Sequence, residues 1–197
     1  MTEDTKPKTR RRKEDRPGEI VAAGIEEFAE HGFERARLDR IAKKAGIAKG
    51  TIYLYFPSKE ALFLAAADEH VGKLVARNEA IVEGFEGSTE SLIREILRLG
   101  DEKMLSPENM AIMRILVSEG HRLPEVAEKY YEHAIRRGVA LLDRIIQRGI
   151  ATGEFAESAA TRNPQLIFAP MLYACLNSMT FEDHYPLDLK DYNECLI

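Results

Sequence analysis

Between Gly46 and Pro57 the chain has room for a helix of only about two turns. Gly46 suits the positive φ that ends a helix, while Pro57 drives Phe56 out of the α region and removes a backbone donor. Ser58 then suits an N-cap, and Glu60 in the following first turn complements the macrodipole of the next helix. Within "AGIAKGTIYLYFPSKEALF", Ile52 and Phe56 stand at i and i+4 and share a face with Ile47. Lys49, Gly50, Thr51, Tyr53 and Tyr55 point elsewhere. Nucleation is too costly for so short a helix to stand alone, so neighbours must hold it while it shows this basic, hydroxylated face to a partner. Nucleic acid fits that face.

The rest of the chain follows the helical period. "IVAAGIEEFAEHGF" places Val21, Ile25, Phe28 and Ala29 on one stripe and stops at Gly32; "LDRIAKKAG" places Leu38, Ile41, Ala42 and Ala45 on another and stops at Gly46. Pro17, Pro107, Pro124 and Pro164 sit where helices start, whereas Pro170 inside "LIFAPMLYACL" is expected to kink a helix. No hairpin signal and no clean period-two stretch appears. The expectation is an all-α chain with helices near 17–31, 38–45, 49–55, 58–85, 89–105, 107–119, 123–152, 163–182 and from about 188 onward. Residues 1–16 read as a basic disordered arm, 17–57 as a three-helix helix-turn-helix DNA-binding domain, and 58–197 as an acidic helical bundle. The long helix at 58–85 links the last two, and a rod fixed in both can carry a shift from one to the other.

A formal net charge of -5 argues against a DNA binder until it is counted by segment. Residues 1–60 carry 14 Lys and Arg against 11 Asp and Glu; residues 61–197 carry 14 against 22. "KPKTRRRK" alone holds six positive charges, among them Arg10, Arg11 and Arg12, and just before a helix-turn-helix it reads as an arm for phosphates or the minor groove. Cys175 and Cys195 match no metal-ligand spacing, which fits a reducing compartment. No signal peptide opens the sequence, and "LIFAPMLYACLNSM" is too short and interrupted to span a bilayer, so a cytoplasmic protein with no membrane partner is expected.

"GFERARLDRIAKKAGIAKGTIYLYFPSKEALF" closely resembles the DNA-binding signature of the tetracycline-repressor (TetR) family of bacterial regulators, over residues 18–63. The resemblance implies that the helix at 49–55 enters the major groove, with Gly50 and Thr51 close to base edges and Lys49, Tyr53 and Tyr55 close to phosphates. It also implies that Lys59 meets the DNA backbone. Small residues let a helix sit deep, Thr51 offers a methyl and a hydroxyl to a base, and phenols donate to phosphate oxygens. Part of the specificity is then expected from DNA shape, from Arg37 or from the basic arm. Two positions depart from the family pattern. Arg37 and Ala48 stand where Thr or Ser commonly cap the second and third helices, and each missing cap costs about 1 kcal/mol locally.

The acidic part is expected to hold a small, largely apolar effector. Met104, Met110, Met113, Tyr130, Phe168, Met171, Tyr173 and Met179 suit an adaptable apolar pocket and equally suit a core. His121, Glu125, Glu128, Glu132 and His133 have metal-like ingredients but read as a solvated surface face, and neither a metal nor a cofactor is expected. The family dimerises through its last two long helices, here about 130–152 and 163–182. Ile135, Val139, Leu142, Ile146 and Ile150 form a seam that suits either a dimer contact or burial within one subunit. A homodimer on a palindromic operator, acting as a ligand-released repressor, is the resulting expectation. An enzyme on a tethered helical domain is the alternative, and no nucleophile-base pair, nucleotide loop or metal spacing supports it. A ligand-independent architectural DNA binder is a third reading.

Overall fold

The computed structural model describes residues 15–187, and among them all regular structure is helical. Two compact units divide the chain, the first ending at Ala66.

The first unit contains α1 (Arg16–Arg35), α2 (Leu38–Lys44), α3 (Lys49–Tyr53) and the body of α4 (Lys59–Ala67). Pro17 sits in the first turn of α1, where its missing N–H is no loss, and Gly32 breaks the helix with φ 72°. The face made by Ile20, Val21, Gly24, Ile25 and Phe28 is buried. Ala29, expected on the same stripe, is exposed, because it lies beyond the edge of an arc centred between Gly24 and Phe28.

Phe28 stacks on Phe33 at 5.7 Å, and Phe63 meets both edge-on at 5.5 and 5.7 Å. Leu62 and Phe63 are fully buried, and Gly24 lets Leu62 approach to 3.3 Å of where a Cβ would stand. The start of α4 therefore belongs to the first unit's core, and the unit ends later in the chain than the boundary read at 57. Ser58 caps α4 as its position implies, its Oγ accepting the Ala61 N–H at 3.2 Å.

The second unit contains a π turn (Asp68–Gly72), α5 (Lys73–Gly84), α6 (Thr89–Met104), α7 (Pro107–Glu119), a 3-10 turn (Gly120–Arg122) and α8 (Pro124–Tyr130). A second π turn (Tyr131–Ile135) leads into α9 (Arg136–Ala151), followed by a 3-10 turn (Pro164–Ile167) and α10 (Ala169–Thr180). The spans expected as single helices at 58–85 and 123–152 are thus helical but each widened by a π turn. Such turns leave no periodicity signature. Pro170 does not kink a helix: the 3-10 turn ends before it, Phe168 is the N-cap, and the proline falls in the first turn of α10. The helix expected from about 188 lies outside the described residues.

Leu92 and Ile96 of α6 pack against Leu141, Leu142 and Ile145 of α9 as the core of this unit. Leu142 and Ile146, expected on a seam, are buried within the chain, whereas Ile135 is 43% exposed. Arg137 of α9 pairs with Glu79 of α5 through two hydrogen bonds, and Arg148 donates to the Phe85 and Gly87 carbonyls beyond the end of α5.

Glu154 holds the start of α6 from 65 residues away, accepting the Thr89 N–H at 2.7 Å and the Thr89 hydroxyl at 2.9 Å. Hydrogen bonds from the Thr152 and Thr89 hydroxyls, then from backbone N–H groups, hold its carboxyl below the usual glutamate range. A depressed folded value means the stabilisation is present above the ordinary value of 4.5 and is lost as pH falls through the lower folded value. Melting temperatures should accordingly place wild type above Glu154→Gln near pH 6, with the gap closing towards about pH 3. A gap independent of pH would show that the carboxylate's charge contributes nothing.

Candidate functional site

Helix α3 is held by one deeply buried side chain. Ile52 is fully buried, Ile47 and Phe56 are half-buried beside it, and Gly46 turns the chain with φ 64°. Everything else on α3 faces outward: Lys49 and Gly50 are exposed, Thr51 is half-buried and Tyr53 is 50% exposed. Tyr55, just beyond the helix, is half-buried, and Leu54 is 81% exposed, a large apolar side chain that the sequence reading did not single out.

The helices carrying this surface lack the side-chain caps already missed in the sequence, at Arg37 and at Ala48. Glu27 of α1 supplies part of what is absent. Its carboxylate is fully buried and accepts both the Arg37 N–H, at 3.1 Å, and the Arg40 Nε, while Lys44 lies 3.9 Å away. A buried carboxylate so placed fixes the start of α2 against α1. Glu27, Glu30 and His31 also form the one group of acidic and imidazole atoms within 4.8 Å of one another among the described residues. Arg40 and Lys44 already occupy it as counter-ions, with Lys44 3.0 Å from Glu30. Of His121, Glu125, Glu128, Glu132 and His133, read from sequence as a solvated face, Glu132 pairs with Arg136 and His133 meets the Lys129 carbonyl.

Two of the expected DNA-contacting cations are engaged within the protein. Arg37 makes a forked pair with Asp39 at 3.0 and 3.1 Å, and its hydrogen bonds and charge hold the Asp39 carboxyl below the usual range. Lys59 is the second. Its ammonium donates to the carbonyls of Phe33, Glu34 and Ala36 at 2.7, 3.1 and 3.4 Å and lies 4.5 Å from the Phe33 ring centre. These are the orphan carbonyls at the end of α1, and an ammonium has only three donors to give. Lys59→Met should therefore lower stability by about 2 kcal/mol in a urea titration. The slope of DNA affinity against salt should stay unchanged, where loss of a phosphate contact would reduce it by about 1. Arg10, Arg11 and Arg12 lie outside the described residues.

In the second unit, side chains from α5 to α10, both π turns and the second 3-10 turn line a cavity of about 410 Å³, within the size range of ligand pockets. Met104, Met113, Tyr130, Phe168 and Met171 line it as expected. Met110, Tyr173 and Met179 do not: Tyr173 is 49% exposed on the outer side of α10, and Met110 and Met179 are half-buried away from the cavity. Val71, Leu74, Val75, Ala134, Ile135, Val139, Leu166 and Leu172 add to an apolar wall in which Asn78 and Gln165 are the polar side chains besides the Tyr130 phenol. Burial pushes the Tyr130 phenol up to about 12, so it is a neutral donor near pH 7. Alanines and valines at helical spacing carry no signal that separates cavity wall from core, so these residues were not readable from sequence.

A short recognition helix with an exposed polar face in one helical unit, and a cavity in a second helical unit of the same chain, define a helix-turn-helix transcriptional regulator. Residues 20–66 match the family described as bacterial regulatory proteins, tetR family, and residues 86–189 match the tetracyclin repressor-like C-terminal domain. The chain belongs to the TetR family; it is a DNA-binding transcriptional regulator and not an enzyme. It is 29% identical over 156 residues to the fatty acid metabolism regulator protein of Bacillus subtilis (strain 168), covering 76% of each. The fold superimposes on the fatty acid degradation regulator FadR of Bacillus halodurans with a TM-score of 0.77, at 25% identity, covering 91% of this chain and 96% of the other. FadR of Bacillus subtilis in complex with stearoyl-CoA gives a TM-score of 0.75 at 25% identity, covering 91% and 97%. Among the described residues no helix is long and apolar enough to cross a membrane.

Proposed function

We propose that the protein is a homodimeric cytoplasmic repressor that holds an inverted-repeat operator and releases it when a small, largely apolar molecule enters the cavity of the second unit. The observation that carries the reading is that cavity: an apolar chamber in a chain whose first unit exposes a recognition helix has no evident use other than ligand control. The stearoyl-CoA held by the Bacillus subtilis FadR supports an aliphatic chain as the occupant. Support for a dimer comes from α10, where Tyr173 and Leu176, which do not line the cavity, are 49% and 38% exposed.

In this reading Gly50 and Thr51 meet base edges, Lys49, Tyr53 and Tyr55 meet phosphates, and Arg37 exchanges Asp39 for a phosphate oxygen. Ligand and DNA then weaken each other reciprocally, by about 1 to 3 kcal/mol. Selection from a random duplex library, followed by titration of the enriched duplex at several salt concentrations with and without stearoyl-CoA, tests the whole scheme. An inverted repeat, a steep salt slope, binding lost in Thr51→Ala/Tyr53→Ala, and release by the acyl-CoA are expected. A single half-site with no ligand effect would point to the ligand-independent architectural role instead.

A further inference from the structure

Leu54 is the most exposed of the large apolar side chains among the described residues, at 81%. Isolated surface leucines are ordinary, and what sets this one apart is its place. The backbone stays helical through Leu54, which ends α3 with φ -71° and ψ -23°. At about 100° per residue, Gly50 and Leu54 stand at i and i+4, each roughly 160° round the helix from the buried anchor Ile52 and one on either side of the outward direction. Thr51 and Tyr53 lie on the flanks, about 100° from the anchor. Gly50 has no side chain, and a Cβ there would meet nothing within 4 Å. Leu54 is therefore the side chain that projects from α3 opposite its anchor.

A leucine can neither donate nor accept a hydrogen bond, so beside a phosphate it would only remove water from the charge. Among the groups that base edges show in the major groove, the 5-methyl of thymine is the apolar one. We infer that Leu54 is a specificity-determining residue for operator binding, packing its isobutyl group on the 5-methyl of one thymine in each half-site. The inference rests on α3 entering the major groove, as proposed above, and adds a base-reading residue to Gly50 and Thr51. Gly50 has the complementary part, because its missing side chain lets α3 come close enough for a leucine to reach a base.

The test uses the full-length protein and the duplex enriched by selection, with each thymine of the half-site, on either strand, replaced in turn by deoxyuridine. That replacement removes the 5-methyl and keeps every hydrogen-bonding group. Anisotropy gives the affinity for wild type, Leu54→Ala and Leu54→Met. In wild type one position should lose roughly fourfold per half-site, the worth of burying one methyl group. Leu54→Ala should bind thymine and deoxyuridine equally at that position, and Leu54→Met, apolar and of similar reach, should restore the preference. Both variants should melt with wild type, since the side chain is exposed. Equal deoxyuridine penalties in wild type and Leu54→Ala at every position, or an enriched half-site without an A·T pair, overturn the thymine assignment and leave α3 as the recognition helix. Unchanged DNA affinity in Thr51→Ala/Tyr53→Ala removes α3 from the groove and takes this inference with it.

Discussion

Gly50→Glu is expected to weaken operator binding by at least about a hundredfold while leaving the melting temperature at or above that of wild type. Gly50 is exposed within α3, and a Cβ built there meets nothing within 4 Å, so the fold accepts a side chain at this position. Glutamate also forms helix better than glycine, by about 0.5 to 1 kcal/mol. The same side chain is a carboxylate pressed into a groove walled by phosphates, and it thickens the helix where a small residue allows close approach. Anisotropy with a labelled operator and a thermal melt on the same preparation decide the matter. Retained binding in Gly50→Glu would remove α3 from the DNA interface. Lost binding accompanied by a lower melting temperature would mean that α3 is held less firmly than Ile52 implies.

The second large effect concerns stability. Replacing Glu27 by Leu, close in size, should cost the first unit about 3 kcal/mol, because it strands the Arg37 N–H and the Arg40 guanidinium around a site with no acceptor. The figure sits at the low end for a broken buried pair, since Arg40 is 37% exposed and Lys44 25% exposed, and both can turn to water. Adding Arg40→Leu to Glu27→Leu should recover part of the loss, and the double-mutant cycle in urea measures the coupling. Additive losses would show that Glu27 acts through the Arg37 backbone alone. DNA affinity should fall in parallel, because the start of α2 is fixed by the same carboxylate that the substitution removes.

What could be read in advance was local. Gly46, Pro57 and Ser58 act on their own neighbours in the chain, so the limits of the recognition helix, its anchor at Ile52 and its outward face follow from adjacent residues alone. Glu27 and Lys59 act across 10 and 26 residues, on a backbone N–H and on carbonyls whose need arises only once the helices have packed. No spacing announces such a partner. Pro170 misled because a short 3-10 turn, which no periodicity marks, turned the interior of an expected helix into its first turn. In the cavity, methionines and aromatics stood out by type, so five were identified, but Met110 and Tyr173 had the right chemistry on the wrong faces. Asn78, an ordinary polar residue in an amphipathic helix, stood out by nothing.

The two π turns, Asp68–Gly72 and Tyr131–Ile135, pack against each other, and Val71 and Ile135 from them reach the cavity wall. A π turn is a helix that has absorbed one extra residue. Deleting one residue within Tyr131–Ile135 would return the span to α geometry with α9 facing much as before, whereas the same deletion in an unbroken α-helix swings everything after it by about 100°. Side-chain replacement in this chamber repaints its walls, and a single-codon deletion at the turn removes one position without re-aiming the wall beyond it. Chain length can thus change at a π turn while the helix that follows keeps its face to the cavity.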